Sequence, residues 1–263
     1  MTDFFEEGFL CTEIERISKL CYEENKEWFS VCKKVNQYYV QLIPKLKLQN
    51  NNRQAAFTDA LFIRQVALFE SVIILSLKGM TREAKILLRT LIENVFILVA
   101  LTKSEENAEL YYNNNYLTKL KSLKAQKEYN SATFHQKGAD KTLQELAEKV
   151  KSLHIKPIGI REWADKADLT DYFLTVYNHL SWTVHSNVLD SATLLEGVSD
   201  EDIRKVGWHP ELDDVGIILT TAIQCSCLGA HSVNRMFELG LEEEINSFQV
   251  ENHTIADNMG LIP

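Results

Sequence analysis

Thr81–Leu101, TREAKILLRTLIENVFILVAL, decides the fold. From Ile86 to Leu101 twelve of sixteen residues are apolar, too many for the one apolar stripe of a surface helix. The segment therefore predicts a helix covered on almost every side. Its four exceptions, Arg89, Thr90, Glu93 and Asn94, fall within one sector about 140° wide at about 100° per residue. Ile97, Ala100 and Leu101 continue that sector with apolar side chains. Buried polarity costs free energy unless it is paired, and Arg89 and Glu93 stand one turn apart, where they can pair. A polar pocket roofed by core is the expectation. A fully buried pair would make Glu93→Ala cost about 3–5 kcal/mol.

The flanking sequence supplies more helices. Lys78-Gly79-Met80 stops an upstream helix over 55–77, and Thr81 reads as the N-cap of the next, making a tight αα-hairpin. Residues 9–43 predict a first helical segment ended by Pro44, an arm exposing Trp28, Tyr38 and Tyr39 that argues for a homodimer. Further helices are expected over 105–128, 142–153, 171–195 and 213–239, with a hinge or lid over 155–169 and a short helix with a frayed end beyond Gly240. In the helix over 213–239, Ala222, Ser226, Gly229 and Ala230 form a small-residue strip that lets a neighbour approach closely. Glycine (10 of 263) and proline (4) are scarce, which favours long helices over a turn-rich β fold. The fold class is all-α, a multi-helix bundle, divided into an N-terminal helical arm (1–50), a bundle domain (51–240) and a C-terminal tail (241–263).

Composition excludes several classes of function. Five cysteines match neither a disulfide framework nor zinc spacing, and they point to reducing cytoplasm. The start, MTDFFEEGFL, is acidic where a signal peptide is basic, and the longest apolar run falls short of the roughly 20 residues of a membrane span. No membrane role is expected. HExxH, ExxH, GxGxxG, GxxxxGK and GxSxG are all absent, so neither a metal nor a phosphate-bearing cofactor is expected. The net charge of -9 opposes general attraction to nucleic acid. Residues 190–257 hold fourteen acids against three bases, whereas 119–141 hold six lysines against two acids. Lys119, Lys121, Lys124 and Lys127 are therefore candidate phosphate contacts, and the same pattern fits a solvated helix face.

A second constellation lies in Tyr172–Asp190, YFLTVYNHLSWTVHSNVLD. Tyr177, Ser181 and His185 recur every four residues, so a helix aligns them in one polar stripe about 80° wide. His185 there suits either proton transfer or a satisfied helix–helix interface. His231, with Gln224 and Arg235, can line the same interior.

The RxxLLRTLIEN helix, Arg82–Asn94, followed by YxxxSxxxH, Tyr177–His185, resembles a bacterial family known as domain of unknown function 5677. That resemblance spans roughly residues 55–235 and implies an all-helical intracellular protein. A wider resemblance is to the helical HEPN nucleases, dimers that cut RNA with an arginine and a histidine a few residues apart. It implies an RNA-directed defence or toxin-like protein, a metal-independent ribonuclease with a degenerate site. His185 would then be the general acid/base, Arg89 would stabilise phosphate charge, Glu93 would hold Arg89, and Ser181 and Tyr177 would position the substrate. Asn178 occupies the upstream position where those nucleases carry arginine, so Arg89 must serve from another helix and Asn178 joins the lysines on the substrate side. The competing expectation is a non-catalytic sensor or adaptor with a protein partner and a structural polar network.

Overall fold

A computed structural model describes residues 2–46, 52–129, 138–184, 195–196 and 205–260. Its helices are α1 (Thr2–Glu7), α2 (Glu13–Glu24), α3 (Lys26–Leu42), α4 (Arg53–Leu77), α5 (Thr81–Lys103) and α6 (Glu105–Glu128). They continue with α7 (Ala139–Ser152), α8 (Ile160–Ala167), α9 (Thr170–Tyr172), α10 (Asn178–Val184), α11 (Val215–Phe237) and α12 (Glu242–Asn258). A π-helical stretch, Phe173–Tyr177, joins α9 to α10. A two-residue antiparallel ladder pairs Leu195 with Val206 and Glu196 with Lys205. The fold is an all-α multi-helix bundle.

The axis of the bundle is α5. It packs against α4, α11, α8 and α10, and Leu88, Leu91, Ile92, Val95, Phe96 and Leu98 are buried among them. Gly79 turns the α4–α5 hairpin at φ +73°, where an added Cβ would also lie 2.7 Å from Pro210 Cβ. The N-cap of α5 is Met80 instead of Thr81. Thr81 is buried with its hydroxyl donating to Glu211 Oε2 at 2.9 Å, while Arg82 pairs with Glu211 and Lys85 with Asp214. These bonds hold the segment entering α11 against the hairpin tip.

The helices α4 and α11 meet through a polar contact. Gln65 Nε2 donates to the Ser226 carbonyl at 3.0 Å, and the amide lies over Gly229, where an added Cβ would fall 1.8 Å from Gln65 Oε1. The small residues of α11 thus admit a side chain that a larger residue would expel. Both helices are long and apolar enough to cross a membrane by length and composition alone, with hydropathies of 1.8 and 1.3. Here they pack on each other.

Two expectations about the chain ends change. The segment 9–43 breaks at Asn25, and α3 buries Trp28, Val31, Cys32, Val35, Tyr39 and Leu42 in the main core. Trp28 packs over Gly216, and Tyr38 meets Phe248 of α12 edge-on at 5.5 Å. The aromatic exposure that argued for a dimer is therefore satisfied within the chain. Beyond Gly240 stands α12, a helix of 17 residues and not a short one, fastened to α11 by reciprocal bonds between Thr220 and Asn252, and the expected frayed end at 261–263 lies outside the described residues. The expected hinge over 155–169 contains α8, anchored by buried Trp163.

Overpacking a filled core site costs about 1–3 kcal/mol, and Gly229→Ala is expected to do so by driving Cβ into Gln65. Urea denaturation of Gly229→Ala, Gln65→Ala and the double variant should give strongly non-additive losses, because removing the Gln65 amide relieves the clash.

Candidate functional site

The π-helical stretch positions the site. Its wider turn lets Tyr172, Phe173 and Tyr177 all approach Phe96 of α5, with ring centroids 6.5, 6.4 and 6.1 Å away. Phe173 stacks on Tyr177 at 5.0 Å and 20°. Such π segments recur at functional sites. Here the segment presents the Tyr177 hydroxyl and, one turn on, Ser181 to the polar sector of α5.

Arg89 closes that sector. Its Nε donates to Ser181 Oγ at 3.1 Å and its Nη2 to Tyr177 OH at 2.6 Å, with the guanidinium 4.8 Å from the Tyr177 ring centroid. Nη2 also lies 3.2 Å from Glu93 Oε1, and Tyr177 OH donates to that same oxygen at 2.7 Å. Ser181 donates to the Tyr177 carbonyl at 2.9 Å. Four sequence-predicted residues, Arg89, Glu93, Tyr177 and Ser181, therefore meet in one cluster. The pair lies at the margin of the core and not wholly inside it: the side chains of Arg89 and Glu93 are 17% and 30% exposed. Burial, and then the Glu93 hydrogen bond, push the Tyr177 phenol up to about 12.

Other candidates are dispersed. His185 lies outside the described residues. Asn178 donates to the Leu174 carbonyl of the preceding π-helical stretch. Lys119, Lys121, Lys124 and Lys127 are exposed on α6, which pairs with α7, a helix with no fully buried residue; Lys127 reaches Asp140 at 2.8 Å. His231 faces Gln249 of α12 at 3.3 Å, away from the Arg89 cluster. Among the described residues, no three His, Cys, Asp or Glu side chains gather where they could hold a metal ion. All five cysteines are free and buried, and burial pushes the Cys21 thiol up to about 11 and those of Cys225 and Cys227 to about 12. Thiols so raised are poor nucleophiles near neutral pH.

Two features escape the sequence reading. A groove of about 360 Å³ beside the cluster is lined by Lys85, Leu88, Val176, His179 and Ile217, and its residues come from three separate helical segments with no shared motif. Asp59 is the other: only 5% exposed, it has both carboxyl oxygens buried without a hydrogen-bond partner, and burial raises its pKa. The signal for it was present, since Ala55, Asp59, Phe62 and Val66 share one stripe of α4.

The family of unknown function DUF5677 matches residues 57–202, more than half of the chain. The chain belongs to this family. The DUF5677 match runs from α4 through α10 and contains all four residues of the Arg89 cluster, whereas α11 and α12 lie beyond it. Comparison with curated proteins and with solved structures returned no match.

A hydrogen bond to a charged partner contributes about 1.5–3 kcal/mol, so Tyr177→Phe is expected to lose about that much in chemical denaturation at neutral pH. Glu93→Ala should fall in the same range instead of the larger loss of a fully buried pair. The phenol ionises later folded than unfolded, so its share of stability is present below about pH 10 and is lost as pH rises toward the folded value. Tyr177→Phe should consequently flatten the alkaline decline. Asp59 has the same sign at lower pH, its share being present while protonated and lost as pH rises. Asp59→Asn should gain stability relative to the parent as pH rises above about 4, and a pH-independent difference in urea melts would refute the burial of that carboxyl.

Proposed function

We propose that this chain is a non-catalytic helical adaptor or sensor in which the Arg89 cluster is a structural clamp. One observation carries the reading: Arg89 Nε and Nη2 and both cluster hydroxyls are engaged inside the protein. Arg89 Nε serves Ser181, Nη2 serves Tyr177 and Glu93, and the hydroxyls of Tyr177 and Ser181 donate to Glu93 and to a backbone carbonyl. A phosphate would have to displace Glu93, an anion already in place. Arginines that grip phosphate present an open planar fork. The Tyr177 phenol, pushed up to about 12, is also mismatched to proton transfer near neutrality.

A second reading is RNA cleavage without metal, using the 2′-hydroxyl as nucleophile and His185 as acid/base. It is favoured by the reach of Arg89 onto Tyr177 and Ser181, which precede His185 by eight and four residues. Under that reading Glu93 must swing away before phosphate binds. For either reading we place the chain in the cytoplasm, with a protein or RNA partner. The homodimer is retained on the wider resemblance alone.

Incubation of the purified chain with mixed RNA in EDTA distinguishes the two. The clamp reading expects no cleavage, Arg89→Lys lowering stability because lysine cannot serve Ser181 and Tyr177 together, and His185→Ala leaving RNA untouched. Cleavage by the parent chain that His185→Ala abolishes, with the melting temperature unchanged, would overturn the clamp reading.

A further inference from the structure

A groove of about 610 Å³ opens where α6 leaves the bundle, lined by Phe57, Tyr111, Tyr112, Asn115 and Lys119 among others. Its volume lies within the range of small-molecule sites, about 300–1,000 Å³. Its chemistry is mixed in an informative way. Phe57 meets Tyr111 edge-on at 5.4 Å and lies tilted over Tyr112 at 6.1 Å and 31°, so three rings make one aromatic wall. Arg53 covers Tyr112 at 4.2 Å, and it also pairs with Glu109 at 2.7 Å, neutralising an acid at the rim.

Three polar members of the groove are unengaged, while the Thr118 hydroxyl donates to the Asn114 carbonyl and the Tyr112 hydroxyl accepts from Tyr116. The side-chain amides of Asn114 and Asn115 and the ammonium of Lys119 hold no hydrogen bond or ion pair among the described residues. Asn115 and Lys119 are one turn apart, so a free amide and a free cation follow each other along the same helix face beside the rings. An apolar peptide would leave two amides and an ammonium unmatched, and a simple anion would ignore the aromatic wall.

We propose that this groove binds a nucleotide, its base against the Tyr111–Tyr112 wall, the base edge on the Asn114 and Asn115 amides, and its phosphate on Lys119. Aromatic faces accept any base, amides match the donor and acceptor edge of a base, and lysine attracts phosphate. The site is separate from the Arg89 clamp and does not depend on how that cluster is read. A free mononucleotide and one residue of a single strand offer the same chemistry.

The test is direct binding to the full chain, by calorimetry with AMP and UMP and by fluorescence anisotropy with labelled A12 and U12, at 50 and 300 mM salt. Inorganic phosphate serves as the control. Asn115 and Lys119 hold no partner that folding needs, so Asn115→Ala and Lys119→Ala should melt like the parent. Each is expected to weaken binding about tenfold, as is Tyr112→Ala, whose loss removes a stacking surface; the loss at Lys119 should shrink at high salt. Binding of mononucleotides identifies a free nucleotide as the ligand, and binding of oligonucleotides alone identifies a single strand; either supports the proposal when the three variants weaken it. Phosphate binding as tightly as AMP, binding indifferent to all three variants, or no binding of any probe at millimolar concentration would overturn it. So would self-association that Lys119→Glu abolishes, which would make the groove an interface between copies of the chain.

Discussion

The C-terminal half of helix α5 is buried on most sides, and several of its polar groups find partners in neighbouring elements. An unmatched buried polar group costs about 1–3 kcal/mol, a sizeable share of the roughly 5–15 kcal/mol by which a typical domain is stable. The partners are spread around the axis. Asn94 donates to the Leu61 carbonyl of α4, Thr81 and Arg82 hold Glu211 ahead of α11, and Arg89 reaches Tyr177 and Ser181. Each bond fixes the rotation of one neighbour about its own axis, which apolar packing alone leaves less determined. The polar residues of α5 therefore act as registration points for the bundle.

The Arg89 cluster sits at the edge of this scheme, and its position shapes what it can do. Partial exposure weakens the Coulomb attraction between Arg89 and Glu93, so its stabilisation comes mainly from well-formed hydrogen bonds. The π segment is the device that makes those bonds available. A continuous α-helix would place Tyr172, Phe173 and Tyr177 less favourably for a shared contact with Phe96. The result is a polar joint in which Arg89 Nε and Nη2 and the hydroxyls of Tyr177 and Ser181 all bond within the protein. By contrast, the α6 groove presents unengaged amides and a lysine beside aromatic rings. On the proposed readings the conspicuous polar motif supports the architecture, and the open chemistry lies on a helix whose sequence reads as ordinary surface.

Much of this was legible in the chain. The apolar density of Ile86–Leu101 demands a surrounded helix, the hairpin at Gly79 follows from its neighbours, and the scarcity of glycine and proline selects helices throughout. The four-residue spacing of Tyr177 and Ser181 and the pairing distance of Arg89 and Glu93 marked the residues of the clamp. These are properties of period and composition, which one helix expresses by itself. Trp28 and Tyr39 misled for the same reason: a stripe on α3 shows that a face is apolar, and says nothing about which chain covers it.

What only the tertiary structure decided is who meets whom. That Arg89 contacts Tyr177 and Ser181 depends on a π segment without a sequence signature and on a separation of about ninety residues. The burial of Asp59, the seat of Gln65 over Gly229, the docking of α12 on α11, and the groove joining Phe57 to Lys119 all arise between separate elements. Helix periodicity is set by local backbone geometry and can be read from one segment. The pairing of faces is chosen by the packing of the whole bundle, where many apolar faces are interchangeable until their few polar groups find partners.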